Sequence, residues 1–160
     1  MSTLRVDSIR GQTADGTNRY VVQVVNASFD TKTDLTSDGS YSNTHITADI
    51  TPSSTNNKVL VLINTVVSID SATNIFRKLK VGRDGTVVST EKIIRSAYVD
   101  SGGNDVLDIS IHYLDSPSST SSVTYSLMGD AGGNGMAVGG RMTNDSANQI
   151  SSITLMEIAQ

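Results

Sequence analysis

Read for the alternation of apolar and polar side chains, this chain is a succession of strands. Residues 45–51 alternate cleanly, with Ile46, Ala48 and Ile50 on one side and His45, Thr47, Asp49 and Thr51 on the other. A period of two marks a strand with one buried face. Residues 106–114 repeat the pattern and set Leu107, Ile109, Ile111 and Tyr113 on a common face. Residues 58–69 are apolar on both faces, which predicts a central strand. The Val-rich run 20–29, the run 123–128 and the closing run from Ile150 complete the clearest set. Residues 75–82 lead through Arg83-Asp84-Gly85 into 86–90, and Asp-Gly between two β-rich runs predicts a hairpin. Residues 89–97 have some helical character, but their β-branched side chains argue against a helix. About eight or nine strands at regular spacing predict an all-β fold, an antiparallel β-sandwich of jelly-roll type.

The polar segments between these runs are predicted turns. Residues 30–43 contain Asp38-Gly39, and residues 52–57 and 115–120 are rich in Ser, Thr and Pro. The final run, SSITLMEIAQ, ends at the C-terminus with Ile153, Leu155 and Ile158 in it, so that terminus is expected to be built into the fold. At the other end, residues 2–10 alternate weakly and a polar link, 11–19, follows. This divides the chain into an N-terminal attachment arm and linker, residues 1–19, and a head domain, residues 20–160. Leu4, Val6 and Ile9 are the sizeable apolar residues of the arm, suited to adding a strand to another protein.

Composition sharpens this picture. The hydrophobic fraction is 37% and the aromatic fraction 4%, with no Trp and 2 Phe among 160 residues, which is a lean core for one domain. Ser and Thr together make up roughly a quarter of the chain, well above ordinary usage. A thin sandwich of this kind is expected to share its stability with neighbouring subunits. The absence of Cys removes disulfides and thiolate chemistry. A formal charge of -4 argues against nucleic acid as a partner, which would need a basic face. No run reaches the roughly 20 apolar residues of a membrane helix, and no secretory signal is read at the N-terminus.

No pattern calls for catalysis, a cofactor or a metal. His45 and His112 are the two histidines, each on an alternating strand away from any carboxylate cluster. The loop DSGGND, residues 100–105, holds Asp100, Asn104 and Asp105 but is shorter than a calcium loop and lacks its later Glu. The Gly-rich run 129–140, which includes Asn134, has no Lys-Ser/Thr and opens no helix; close backbone approach explains it better than a phosphate cradle. The run FRKLK, residues 76–80, reads as a solvated edge strand with Lys blocking unwanted pairing. Loops on a rigid β scaffold are where contacts concentrate, so Tyr41, Tyr98, Asp100, Asn104 and Asn134 are the candidate surface-contact residues. Tyr41, Tyr98 and Tyr113 are the side chains available to stack on a sugar.

Three runs carry a family likeness: ITPSSTNNKVLVLINTVVS, SIHYLDSPSSTSSVTYSL and the closing ITLMEIAQ. With the opening MSTLRVDSIRG, they resemble the C-terminal head domain of bacteriophage tail-fibre and related virion proteins, marine phages in particular. The resemblance implies a homotrimeric tail-fibre or spike-like appendage in the virion. Its implied partners are other copies of itself, other virion proteins of tail or capsid, and a host surface glycan. A capsid decoration protein clamped to the shell by its arm is the alternative, and a glycan-degrading enzyme of the phage a third reading. None of the three runs is catalytic, so no enzyme activity is expected.

Overall fold

The computed structural model describes residues 11–12, 18–36, 39–69, 76–90, 92–95, 105–133, 135–142 and 149–160. In chain order its strands are β1 (Gly11–Gln12), β2 (Asn18–Arg19), β3 (Val21–Phe29), β4 (Thr33–Leu35), β5 (Ser42–Ile50), β6 (Lys58–Ile69) and β7 (Phe76–Arg83). They continue as β8 (Thr86–Val87), β9 (Lys92–Arg95), β10 (Asp105–Asp115), β11 (Val123–Asp130), β12 (Met136–Val138) and β13 (Ser151–Ile158). No helix occurs among the described residues, and the stretch read as faintly helical contains β9. Leu4, Val6 and Ile9 lie outside the described residues; the linker contributes the small β1–β2 pair.

Two larger antiparallel sheets account for the rest. In the first, β6 is the organising strand. One edge pairs with β10 along its length, while the other is shared between β13, at residues 58–64, and β12, at residues 67–69. Beyond these, β3 pairs with β13 and β4 with β12. In the second sheet β11 lies between β5 and β7, and the far edge of β7 is shared by β9 and β8. The eight principal strands therefore run first-eighth-third-sixth in one sheet (β3, β13, β6, β10) and second-seventh-fourth-fifth in the other (β5, β11, β7, β9). The chain changes sheet at every step except the middle one. That double Greek-key order is a jelly roll.

The alternations read from the sequence fall where they should. Ile46, Ala48 and Ile50 are buried, as are Val59, Val61, Ile63, Leu79, Val81, Tyr125, Leu127, Ile153 and Leu155, and these inner faces form one core. Leu107, Ile109, Ile111 and Tyr113 are half-buried against it, so Tyr113 faces inward and is no surface platform. The hairpin prediction also holds: Asp84 and Gly85 have φ of 50° and 77°, the left-handed pair of a type I′ turn. Asp84 locks that turn onto β11, since its N–H donates to the Thr124 carbonyl at 2.9 Å and its carboxylate accepts the Thr124 N–H at 2.9 Å.

Two readings need correction. The FRKLK run is not an edge, because β7 has partners on both sides and Arg77 is fully buried with Leu79 and Val81. Only alternate members of that run, Lys78 and Lys80, face out. In the closing strand, a register shift between Glu157 and Ile158 ends the regular pairing with β3. The buried face of β13 is Ser151, Ile153, Leu155 and Glu157, while Ile158 is half-exposed.

The topology gives the sandwich two unlike ends. The connections 51–57, 84–85 and 116–122 gather at one end, together with the start of β3 and the end of β13. The connections β3–β5, β6–β7, β9–β10 and β11–β13 all join strand ends at the other.

Candidate contact site at the loop end

The runs TPSSTNN, IHYLDSP, SSVTYSL and ITLMEIAQ converge on the first end, where they hold the fold. Glu157, from ITLMEIAQ, is fully buried beneath the TPSSTNN turn. One carboxylate oxygen accepts the Ser53 N–H at 2.7 Å, the Ser53 hydroxyl at 2.8 Å and the Asn57 amide at 2.6 Å; the other accepts the Gln23 amide at 2.6 Å. Gln23 also donates to the Thr51 carbonyl at 2.8 Å. Burial pushes the Glu157 carboxyl up, but the hydrogen bonds from Asn57, Gln23 and Ser53 outweigh it and hold the group below its usual range. One buried anion thus ties β3, β13 and the β5–β6 turn together.

A second cluster stands beside it. Asp115, from IHYLDSP, accepts the Arg83 guanidinium at 2.6 Å and the Tyr125 hydroxyl at 2.6 Å, the tyrosine coming from SSVTYSL. This joins the end of β10 to β7 and β11 across the sandwich. Burial raises the Tyr125 phenol far above its usual value, and the hydrogen bond to Asp115 and its charge raise it further, against a smaller opposing effect of Arg83. Tyr125→Phe should therefore cost about 1 kcal/mol at neutral pH, one hydrogen bond. Above about pH 10 the unfolded chain releases the Tyr125 proton while the folded chain keeps it, so this contribution falls as pH rises. Chemical denaturation of both proteins from pH 8 to 11 should give a smaller loss of stability for the phenylalanine variant.

At the opposite end the long connections are tied by polar groups of a different kind. Asp130, almost fully buried at the end of β11, accepts the Gly39 N–H at 3.2 Å and the Gly132 N–H at 3.0 Å. The β3–β5 and β11–β12 connections are thereby fastened to one carboxylate. His45 is pressed into the same region. Thr33 Oγ1 accepts the His45 backbone N–H at 3.0 Å, so its hydroxyl proton is free to donate to His45 Nδ1 at 2.6 Å. Burial lowers the His45 pKa, which favours the neutral ring, and Nε2 is buried with no hydrogen-bond partner among the described residues. The Phe29 ring meets it edge-on at 5.7 Å, and Gly139 closes over Cε1 and Nε2. His45 is a packed side chain here, and His112 stands exposed on β10.

Of the candidate contact residues, Tyr41 is described. It is half-buried, with Lys80 Nζ 4.6 Å from its ring centroid, a cation–π contact between β7 and the residue before β5. Tyr98, Asp100, Asn104 and Asn134 lie outside the described residues. Sequence reasoning missed Asp130, Arg77 and Glu157 as interior polar groups. Arg77 and Glu157 alternate in step with buried neighbours, and that register was the available signal; β11 is buried without alternation over 125–130, so Asp130 gave none. Arg77 Nε donates to the Gly135 carbonyl at 3.3 Å, which fixes the Gly-rich connection from beneath. Among the described residues no three His, Asp or Glu side chains gather as a metal site would require. No helix among them is long and apolar enough to cross a membrane.

No family model and no curated protein matches the chain. Among solved structures it is similar to a chain in the structure of infectious bursal disease virus Gx strain, with 14% identity and a TM-score of 0.31. The match covers 99% of this chain and 44% of that one, so this chain spans less than half the length of its neighbour.

Proposed function

We propose that this chain is a structural protein of a bacteriophage-type virion, a homotrimeric tail-fibre or spike-like appendage whose head contacts the host surface. One observation carries the reading: the molecule is polar. The chain passes into the head at the end where the Tyr20 carbonyl accepts the Ala159 N–H and where Glu157 and Asp115 pin the turns. The strand ends that the four long connections join, with Tyr41, belong to the opposite end. An arm bound to the particle through Leu4, Val6 and Ile9 would leave those loops pointing away from it. Buried in a neighbour, each of the three side chains contributes on the order of 1–3 kcal/mol, and three arms act together.

Deleting residues 2–11 tests this reading. The shortened protein should keep its size and melting temperature yet be missing from purified particles. Incorporation at normal copy number would mean that the head itself makes the attachment. Copy number on a stained gel separates the two virion positions, with tens of copies or fewer expected for a tail appendage and hundreds for a capsid decoration protein. The reading includes no catalysis: purified protein should leave host surface polysaccharide at its original length.

A further inference from the structure

Polar groups fasten both ends of the sandwich, and the two ends answer to acid differently. At the loop end the His45 ring sits between Thr33 and Gly139. Thr33 Oγ1 lies 2.6 Å from Nδ1, while Nε2 is buried with no hydrogen-bond partner among the described residues. The Gly139 backbone covers that nitrogen, and one methyl carbon added there would lie 3.1 Å from it. No space is left on that side for a water. The covering segment is itself tied down, since Gly139 N–H donates to the Val66 carbonyl at 2.8 Å and Gln149 N–H to the Gly139 carbonyl at 2.9 Å. A neutral imidazole tolerates this place, because it leaves a single neutral nitrogen unpaired. A protonated ring carries an N–H on both nitrogens. Its Nε2–H would hold positive charge against the glycine backbone with no acceptor, and a buried unpaired charge costs far more than a buried neutral group.

We propose that His45 is an acid-sensitive latch: a proton on its ring releases the Gly139 segment from β4 and β5 while the opposite end of the sandwich stays closed. The charged ring reaches water only by displacing that segment. Among the described residues the elements around it offer no relief. Asp30 and Lys32 lie between β3 and β4, Asp34 is on β4, and Arg141 follows Gly139. Lys32 Nζ is 3.1 Å from Asp34 and donates to the Arg141 carbonyl at 3.2 Å. On β11, Asp130 accepts the Gly39 and Gly132 N–H groups, and on β5 itself Asp49 accepts the Thr124 hydroxyl at 2.6 Å. Glu157 of β13 is engaged at the far end. None of these groups bonds to Nε2. The direction of the effect follows from burial, which lowers the His45 pKa. In the opened state the ring takes up its proton near the ordinary value of about 6.5. The latch is therefore fully closed above that pH and weakens as pH falls toward the folded value. The Glu157 carboxyl is held below its usual range, so the pinned end keeps its contribution down to about pH 4.3.

Amide hydrogen exchange of the full chain tests this, read residue by residue and corrected for the intrinsic effect of pH on exchange. Between about pH 6.5 and 5, where ordinary carboxylates stay largely charged, protection at Gly139 and Gln149 should fall roughly tenfold. Protection at Ala159, whose N–H donates to the Tyr20 carbonyl at the pinned end, should stay level. His45→Asn cannot take a charge but keeps an acceptor for Thr33, so in that variant protection at Gly139 and Gln149 should not depend on pH in this window. The native chain gives a second reading that needs no variant at His45. It has two histidines, so His112→Gln leaves one imidazole signal, which should titrate below about 6.5. A ring that titrates at or above that value would overturn the latch. So would unchanged protection at Gly139, an equal fall at Ala159, or the same fall in His45→Asn.

Discussion

Replacing Glu157 by Ala should destabilise the head by about 3 kcal/mol, since several buried donors would lose their acceptor at once. The Ser53 N–H, the Asn57 amide and the Gln23 amide converge on that carboxylate within 2.7 Å, and water at the sandwich end would only partly replace it. The melting temperature should fall by about 10 °C for a domain of this size. Acid should reproduce part of the effect in the native protein. The folded Glu157 carboxyl titrates below its ordinary value, so on acidification the unfolded chain takes up the proton first. Its contribution is complete above the ordinary glutamate value of about 4.3 and is lost as pH falls through the folded value. Urea denaturation between pH 7 and 3 should give a steeper loss for the native protein than for Glu157→Gln. Parallel curves would mean that the cluster does not stabilise the charged form.

Gly139→Ala should cost about 3 kcal/mol, although it adds a single methyl group. Gly139 has φ of 83°, in the left-handed region, where a Cβ costs roughly 1–2 kcal/mol. That Cβ would also lie 2.5 Å from the Thr31 carbonyl oxygen and 2.8 Å from His45 Cε1. Relief would require moving the backbone, because the Gly139 N–H is bonded to the Val66 carbonyl at 2.8 Å and its carbonyl accepts the Gln149 N–H. These bonds bridge the gap on β6 between β12 and β13. The double variant with His45→Ala should recover only part of the loss, since the Thr31 carbonyl remains. Thermal melts of the single and double variants decide this. Full recovery would place the whole conflict at the histidine ring.

Where a strand has one wet face, its sequence was enough to place it. The period of two in residues 45–51 and 106–114 assigned Ile46, Ala48, Leu107 and Ile109 correctly, because burial alone decides those positions. The same rule failed at Arg77 and Glu157 because charge was given more weight than register. Both sit in step with buried neighbours, and each is accommodated by partners distant in sequence that no local pattern reveals. Ser53 and Asn57 lie about a hundred residues from Glu157. The TPSST, YLDSP and ITLMEIAQ runs stood out in the sequence, but not their physical role. Ser53, Asp115, Tyr125 and Glu157 are fastenings at the pinned end, so what those runs specify is the fold. The apolar outer face was half legible: residues 58–69 announced two apolar faces, but only the cross-strand register aligns Val24, Met156, Leu60 and Leu114 in one row.

The central claim is that this sandwich is mounted on a virion by its arm end with its loop end outward. A density map of the intact particle tests it most directly. The account predicts three sandwiches about a three-fold axis at the tail. The turns around Glu157 and Asp115 should face the particle and the connections around Asp130 and Tyr41 the surroundings. Sandwiches with the loop end against the particle, or particles that lack this chain, would contradict it.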